Sequence, residues 1–225
     1  MPVNKKTYQQ LITEFENRCT LVAVSKTKPV EDIQALYDLG QRDFGENYVQ
    51  ELVEKQALLP KDIRWHFIGH LQSNKVKLIA PFVYLVHGVD SLSLLKEINK
   101  QAAKNNRVID CLLQIHIARE ETKFGLDSSE LDAIITLLQN ERQLDHVKVT
   151  GLMGMASFSD DALLVRSEFA GLRALFKQHK ETTTHNLQLS ILSMGMSSDY
   201  RFALEEGSNL VRIGSLLFGE RNQQA

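Results

Sequence analysis

Eight short runs rich in apolar and β-branched residues recur along this 225-residue chain, all but the last followed by a segment with helical spacing, and that alternation restricts the fold more than any other feature. The runs lie at 21–26, 42–47, 64–70, 83–86, 107–117, 147–151, 187–192 and 210–213. Between them, 30–39, 49–58, 73–80, 91–104, 128–139, 160–179 and 198–206 read as helices. In 91–104, for example, Leu92, Leu95, Ile98 and Ala102 share one face behind Ser91, a credible N-cap. A further helix over 5–17 gathers Tyr8, Leu11, Ile12 and Phe15 ahead of the first run. No shift of composition marks a linker. The expected architecture is therefore α/β: a single (β/α)8 TIM barrel occupying residues 1–225 as one domain, with the extra N-terminal helix covering its base. A doubly wound open sheet is the alternative.

The balance of 26 Lys and Arg against 28 Asp and Glu leaves a net charge of −2 with the two signs intermingled. Such a surface gives no electrostatic reason to expect nucleic acid or an anionic membrane as a partner. No apolar stretch is long enough to span a bilayer, and residues 1–6 lead directly into the first amphipathic pattern without a signal-peptide core, so the cytoplasm is the expected location. Cys19 and Cys111 are too few for a disulfide framework and are expected as reduced core thiols. The seven histidines show no metal-binding spacing, so no metal site is expected. Ser25, Ser157 and Ser193 lack the glycine-flanked elbow of a hydrolase, and Gly151-Leu152-Met153-Gly154-Met155 lacks the third glycine of a dinucleotide fingerprint. Met153, Met155, Met194 and Met196 are expected to pack in the core or under a ligand ring.

In a parallel barrel, ligands bind at the C-terminal ends of the strands, and here those ends are polar. The first run, Leu21-Val22-Ala23-Val24-Ser25-Lys26, ends in a lysine shortly before Pro29, which places Lys26 at the mouth as a candidate covalent anchor. Lys28 is its rival, because alternation along an extended strand would point both the same way. Glu46, Asn47, His70, Gln72 and Asp90 follow other runs. The last two loops carry the most information. Ser197 and Ser198 open a helix behind Gly195, whose backbone could lie close to a ligand, and Gly214-Ser215 follows the eighth run. Together they suggest an anion cup in the two loops where barrels commonly hold a phosphate. An anchoring lysine and a phosphate cup on one barrel point to pyridoxal 5′-phosphate, whose aldehyde condenses with an amine. Arg212 would then face the pyridine nitrogen and, remaining charged, oppose its protonation.

Six blocks in order carry a resemblance: Val24-Ser25-Lys26-Thr27-Lys28-Pro29, Phe44-Gly45-Glu46-Asn47-Tyr48-Val49-Gln50-Glu51, His66-Phe67-Ile68-Gly69-His70-Leu71-Gln72-Ser73-Asn74-Lys75, Gly151-Leu152-Met153-Gly154-Met155-Ala156, Ser193-Met194-Gly195-Met196-Ser197 and Val211-Arg212-Ile213-Gly214-Ser215. Over nearly its whole length the chain resembles the pyridoxal phosphate homeostasis proteins, a family similar in fold to the N-terminal barrel of alanine racemase. The resemblance implies that Lys26 forms the internal aldimine, that Arg212 approaches the ring nitrogen, that Asn47 lies near the ring, and that Ser197, Gly214 and Ser215 hold the phosphate. Ser198 fills a variable slot of the family pattern and donates through its hydroxyl or only its N–H. The resemblance also implies a regulator of vitamin B6 and amino-acid balance without an established catalytic reaction; a monomer is expected, with apo forms of enzymes that use the cofactor as recipients.

A cofactor-dependent amino-acid racemase is the alternative. Racemisation of the alanine-racemase type needs a lysine and a tyrosine on opposite faces of the substrate, the tyrosine coming from a second domain. The chain ends at Ala225, soon after the eighth run, so no second domain is expected, and of the five tyrosines only Tyr48 and Tyr200 fall near strand ends. A carrier is expected rather than an enzyme.

Overall fold

The computed structural model describes residues 3–16, 18–119, 124–140 and 144–219; Asn17, the expected end of the first helix, and the tail 220–225 lie outside them. Helix α1 (Lys5–Phe15), capped by Asn4 Oδ1 accepting from the Thr7 N–H at 3.0 Å, precedes β1 (Thr20–Val24). The chain continues through α2 (Val30–Tyr37), β2 (Asp43–Glu46), α3 (Val49–Leu58), β3 (Arg64–Phe67), α4 (Val76–Ile79), β4 (Leu85–Val89), α5 (Leu92–Lys104), β5 (Ile109–Gln114) and α6 (Ser128–Asn140). It ends with β6 (Val147–Met153), α7 (Ala162–His179), β7 (Leu187–Met196), α8 (Tyr200–Glu205), β8 (Leu210–Ile213) and α9 (Ser215–Phe218). These strands pair in parallel in chain order, and β8 returns to β1 with Leu21 opposite Val211 and Ala23 opposite Ile213. That last pairing closes an eight-stranded barrel and rules out the open sheet. A two-residue strand, Thr183–Thr184, adds antiparallel to the start of β7.

Both faces of every barrel strand are covered, which is why the runs read as continuously apolar. Outward residues such as Leu21, Ala23, Phe44, Phe67, Val86, Val211 and Ile213 pack beneath the helices against Ile33, Leu36, Leu52 and Leu95. Inward positions of alternate register, Val22, Leu85, Leu112, Met153 and Leu210, form a separate cluster inside the barrel. The remaining interior positions are polar and matter below. Ser91 caps α5 as expected, its Oγ accepting from the Leu94 N–H at 3.3 Å. Cys111 is buried; Cys19 is only half-buried just ahead of β1, where burial still pushes its thiol up to about 12. Among the described residues no helix is long and apolar enough to cross a membrane.

Several boundaries differ from expectation for local reasons. β1 stops at Val24 because a turn over Ser25 to Lys28 intervenes, closed by the Lys28 N–H on the Ser25 carbonyl at 3.0 Å. β4 covers Leu85–Val89 rather than 83–86, because His87 and Gly88 read as a polar break yet are buried inside the barrel. β6 and β7 run past Gly151 and Leu192, since Gly151 pairs with Ile191 and Ser193 with Met153 in one continuous ladder. Segment 73–80 is a 3-10 turn, Ser73–Lys75, followed by the single-turn α4. α8 begins at Tyr200, so Ser197 and Ser198 form the turn before it instead of its first residues.

Candidate functional site

A cavity of about 580 Å³ opens at the C-terminal mouth of the barrel, within the size range of small-molecule sites. The residues nominated from sequence, Lys26, Asn47, Ser197, Ser198, Arg212, Gly214 and Ser215, all line it. Met155 and Met196 lie on its wall, while Met153 and Met194 are buried in the core. A larger recess of about 760 Å³ between α1 and α8 touches the same Ser197-Ser198 turn but has no lysine in its lining.

Lys26 sits in a turn that the fold holds from below. Thr27 has φ = 62°, a left-handed conformation that is rare for a β-branched residue and costs on the order of 1–3 kcal/mol. Its N–H donates to Glu51 Oε1 at 2.6 Å. The Lys55 ammonium of α3 donates to the Ser25 carbonyl at 2.7 Å, to Glu46 Oε1 at 2.7 Å and to Glu51 Oε1 at 2.6 Å, and the Ser25 hydroxyl donates to Glu46 Oε1 at 2.6 Å. Glu46 is fully buried and Lys55 is 5% exposed. Burial pushes the Glu46 carboxyl up to about 7, against the opposing pull of the Lys55 ammonium and the Ser25 hydroxyl. The turn also breaks strand alternation, so Lys26 and Lys28 are not equivalent. The Lys28 ammonium donates to the Phe218 carbonyl at 2.8 Å and the Gly219 carbonyl at 3.3 Å, at the end of α9.

The opposite wall carries Arg212, 4% exposed, whose Nη1 donates to the Ser193 carbonyl at 3.1 Å and to Ser193 Oγ at 2.5 Å while Nη2 donates to the Gly154 carbonyl at 3.0 Å. Burial lowers its pKa to about 10, which leaves it cationic at neutral pH. The two glycine- and serine-bearing loops are stitched together: the Gly214 N–H donates to Ser197 Oγ at 3.2 Å, which leaves the Ser197 O–H as a donor in its own right. Ser198 and Ser215 are exposed at the rim. Gly195 has a different role from the one expected. At φ = 98°, with a Cβ there only 2.6 Å from Ala203 Cβ, it is required by the packing of α8 on β7 rather than by an approaching ligand. Asn47 Oδ1 is buried and has no hydrogen-bond partner among the described residues, an orphaned acceptor at the cavity wall.

Some polar strand ends stay outside the cavity. Glu46 faces α3, and His70 pairs with Asp90 at 3.1 Å and stacks on Phe124 at 4.2 Å on the outer rim. Sequence reasoning missed Lys55, although Glu51 and Lys55 stand four apart on one helix face, the spacing at which such pairs meet. It also passed over Ser193 and the histidines behind it. No cluster of metal-ligating side chains occurs among the described residues.

Closed barrel and polar mouth together define a protein of the alanine racemase barrel class; the family model described as alanine racemase, N-terminal domain, matches residues 4–222. The pyridoxal phosphate homeostasis protein of Aquifex aeolicus is 44% identical over 207 residues, covering 92% of this chain and 89% of its own length. The human protein of that name is 41% identical over 213 residues, 90% of this chain and 76% of its own. The solved structure of PipY from Synechococcus elongatus with PLP bound is 35% identical, with a TM-score of 0.85 over 95% of this chain and 99% of that one. The chain belongs to the pyridoxal phosphate homeostasis protein family.

Proposed function

We propose that the protein binds pyridoxal 5′-phosphate at the barrel mouth and serves intracellular vitamin B6 and amino-acid homeostasis as a carrier, without catalysing a reaction of its own. The observation that carries this reading is the convergence in one cavity of an amine, a guanidinium and two donor-rich loops. Pyridoxal 5′-phosphate supplies an aldehyde that joins a lysine reversibly as a Schiff base and a phosphate that hydrogen-bond donors retain. Lys26 presents the amine from its braced turn. The Ser197 and Ser215 hydroxyls and the Ser198 and Gly214 backbone surround the phosphate, and Asn47 offers its orphaned acceptor beside the ring. Arg212 meets the pyridine nitrogen with a donor-only cation, which disfavours protonation of that nitrogen. The working unit is taken as the single-domain monomer in the cytoplasm, with apoenzymes as recipients.

The carrier reading is supported by the placement of the tyrosines. Tyr48 is 56% exposed, and the buried Tyr200 donates its hydroxyl to Glu14 at 3.2 Å. Neither lines the cavity. No tyrosine of the described residues lines the cavity, so the tyrosine base of a two-base racemisation, general acid/base help worth roughly 10²- to 10⁴-fold, is not supplied there. Incubated with L-alanine or L-serine in deuterated water, the cofactor-loaded protein is expected to show no sustained α-proton exchange by NMR. Multiple-turnover exchange that disappears in Lys26→Ala would replace the carrier with an enzyme.

The phosphate loops yield a second expected result. Replacing Ser197 and Ser215 together with alanine removes two hydroxyl donors to a charged group, worth roughly 1.5–3 kcal/mol each. Cofactor retention should fall by at least about a hundredfold in equilibrium dialysis, with only a small loss of thermal stability from the Gly214 N–H that Ser197 Oγ no longer accepts. Retention equal to wild type would move the phosphate away from these loops.

A further inference from the structure

Behind Arg212 the barrel interior holds a line of polar side chains drawn from four different strands. We propose that Ser193, His87 and His66, anchored on Asp43, form a one-way hydrogen-bond relay whose task is to position the Arg212 guanidinium on the pyridine nitrogen of the cofactor; this rests on the reading that the cavity holds pyridoxal 5′-phosphate. Arg212 Nη1 lies 2.5 Å from Ser193 Oγ, Ser193 Oγ lies 3.4 Å from His87 Nδ1, His87 Nε2 lies 2.9 Å from His66 Nδ1, and His66 Nε2 lies 3.0 Å from Asp43 Oδ1. His87 and Ser193 are fully buried and His66 is 1% exposed.

The protons in this line can be assigned from its two ends. An arginine only donates, so Ser193 Oγ accepts at that end. At the other end, against its burial, hydrogen bonds from Arg64 and His66 hold the Asp43 carboxyl down at about 2, so it is an acceptor and His66 Nε2 carries a proton. Burial, with the neighbouring His66 and Arg212, pushes His87 well below the usual histidine range, so His87 is neutral and has one proton to place. We assign that proton to Nε2, donated to the unprotonated Nδ1 of His66, which makes the line run one way from Ser193 to Asp43. Ser193 then donates its hydroxyl to His87 Nδ1 and offers its oxygen to Arg212. Each member both donates and accepts, so no rotor or tautomer is left undetermined.

The consequence for Arg212 is geometric. A long guanidinium side chain loses considerable rotamer freedom when it is fixed. Contacts to Ser193 and Gly154 set its plane and leave its remaining N–H donors for the cavity it lines. Of those anchors only the Ser193 hydroxyl is itself held by a side chain, and the line holding it reaches the base of the barrel, where Arg64 Nε donates to Asp43 Oδ1 at 2.7 Å. Ser193, His87 and His66 are thus positioning residues, acting on the cofactor through Arg212.

The test compares dissociation constants for pyridoxal 5′-phosphate and its 1-deaza analogue, in which carbon replaces the ring nitrogen. Wild type is expected to prefer the natural cofactor by about tenfold or more, the range of one charge-assisted hydrogen bond. In Ser193→Ala that preference should shrink to roughly threefold or less while affinity for the analogue stays unchanged, because only the nitrogen contact is disturbed. Equal weakening of both ligands, or an unchanged preference, overturns the relay. Independently of any variant, long-range ¹H–¹⁵N NMR of the wild-type protein at neutral pH should show both His66 and His87 as Nε2–H tautomers; an Nδ1–H tautomer or an imidazolium at either ring overturns it too. A wild type that binds neither compound overturns the cofactor reading and the relay's purpose together, whereas binding without nitrogen preference defeats the relay alone.

Discussion

Lys26→Ala should abolish the covalent absorbance band of the bound cofactor completely, whereas Lys28→Ala should keep it. Only a primary amine can form the imine, so the experiment distinguishes two candidates two residues apart. Lys28 also lines the cavity, but its ammonium donates to the carbonyls of Phe218 and Gly219 at the end of α9, and those contacts hold it there. The left-handed Thr27 turns the chain between the two lysines, so strand alternation no longer gives them a common direction. Lys28→Ala is expected instead to loosen α9 and weaken retention severalfold. Borohydride reduction followed by peptide mapping reads the outcome directly, and an adduct on Lys28 would refute the assignment.

The second large effect lies under that turn. Lys55→Met removes the ammonium that joins Glu46, Glu51 and the Ser25 carbonyl, and leaves a fully buried carboxylate without its cation. Breaking such a pair from one side typically destabilises by about 3–5 kcal/mol, or a loss of roughly 6–20 °C in Tm for a domain of this size. The pH dependence has a definite sign. The Glu46 carboxyl is raised in the folded chain to about 7 from an ordinary 4.5, so the native state binds its proton more tightly than the unfolded state. The stability it contributes is complete below about 4.5 and is lost as pH rises through about 7. Without Lys55 the charged carboxylate is harder to tolerate, so the Tm gap between wild type and Lys55→Met should widen from pH 5 to pH 8. Glu46→Gln in the Lys55→Met background should narrow it again. Thermal unfolding by circular dichroism across that range would disprove the bracing role if the gap were both small and independent of pH.

The fold was legible because each strand is buried on both faces and each helix on one, which writes two different periods into the chain. Strand ends were less legible where the barrel interior is polar: His87 in β4 and Ser193 in β7 look like interruptions but belong to the ladder. The left-handed turn at Thr27 opposes local preference and depends on the Glu51 contact, which exists only once α3 has packed. Lys26 and the two serine loops could be found because a barrel gathers its chemistry at one end of its strands, whatever their separation in sequence. No such rule points to Lys55 beneath the turn, or to a line through Ser193, His87, His66 and Asp43. Within α3 the Glu51–Lys55 spacing is local, but the contacts of Lys55 to Glu46 and Ser25 exist only once α3 has packed, and the line from Ser193 to Asp43 only once the barrel has closed.

The contact between Lys28 and Phe218 spans 190 residues of sequence, and the ladder between β1 and β8 spans a similar distance. The amine and the guanidinium of the cavity therefore enter the fold from opposite ends of its assembly. Loop-closure entropy opposes contacts of that range until the intervening elements are in place, so docking of β8 on β1 is the expected late and slow event of folding. A nascent chain that has emerged only as far as β7 carries the lysine but not Arg212, Gly214 or Ser215, and has no pocket in which to retain a ligand. Ligand occupancy then acts by mass action on the finished ring alone, slowing its reopening without guiding its formation. Loading is a quality mark that only a fully closed barrel can acquire.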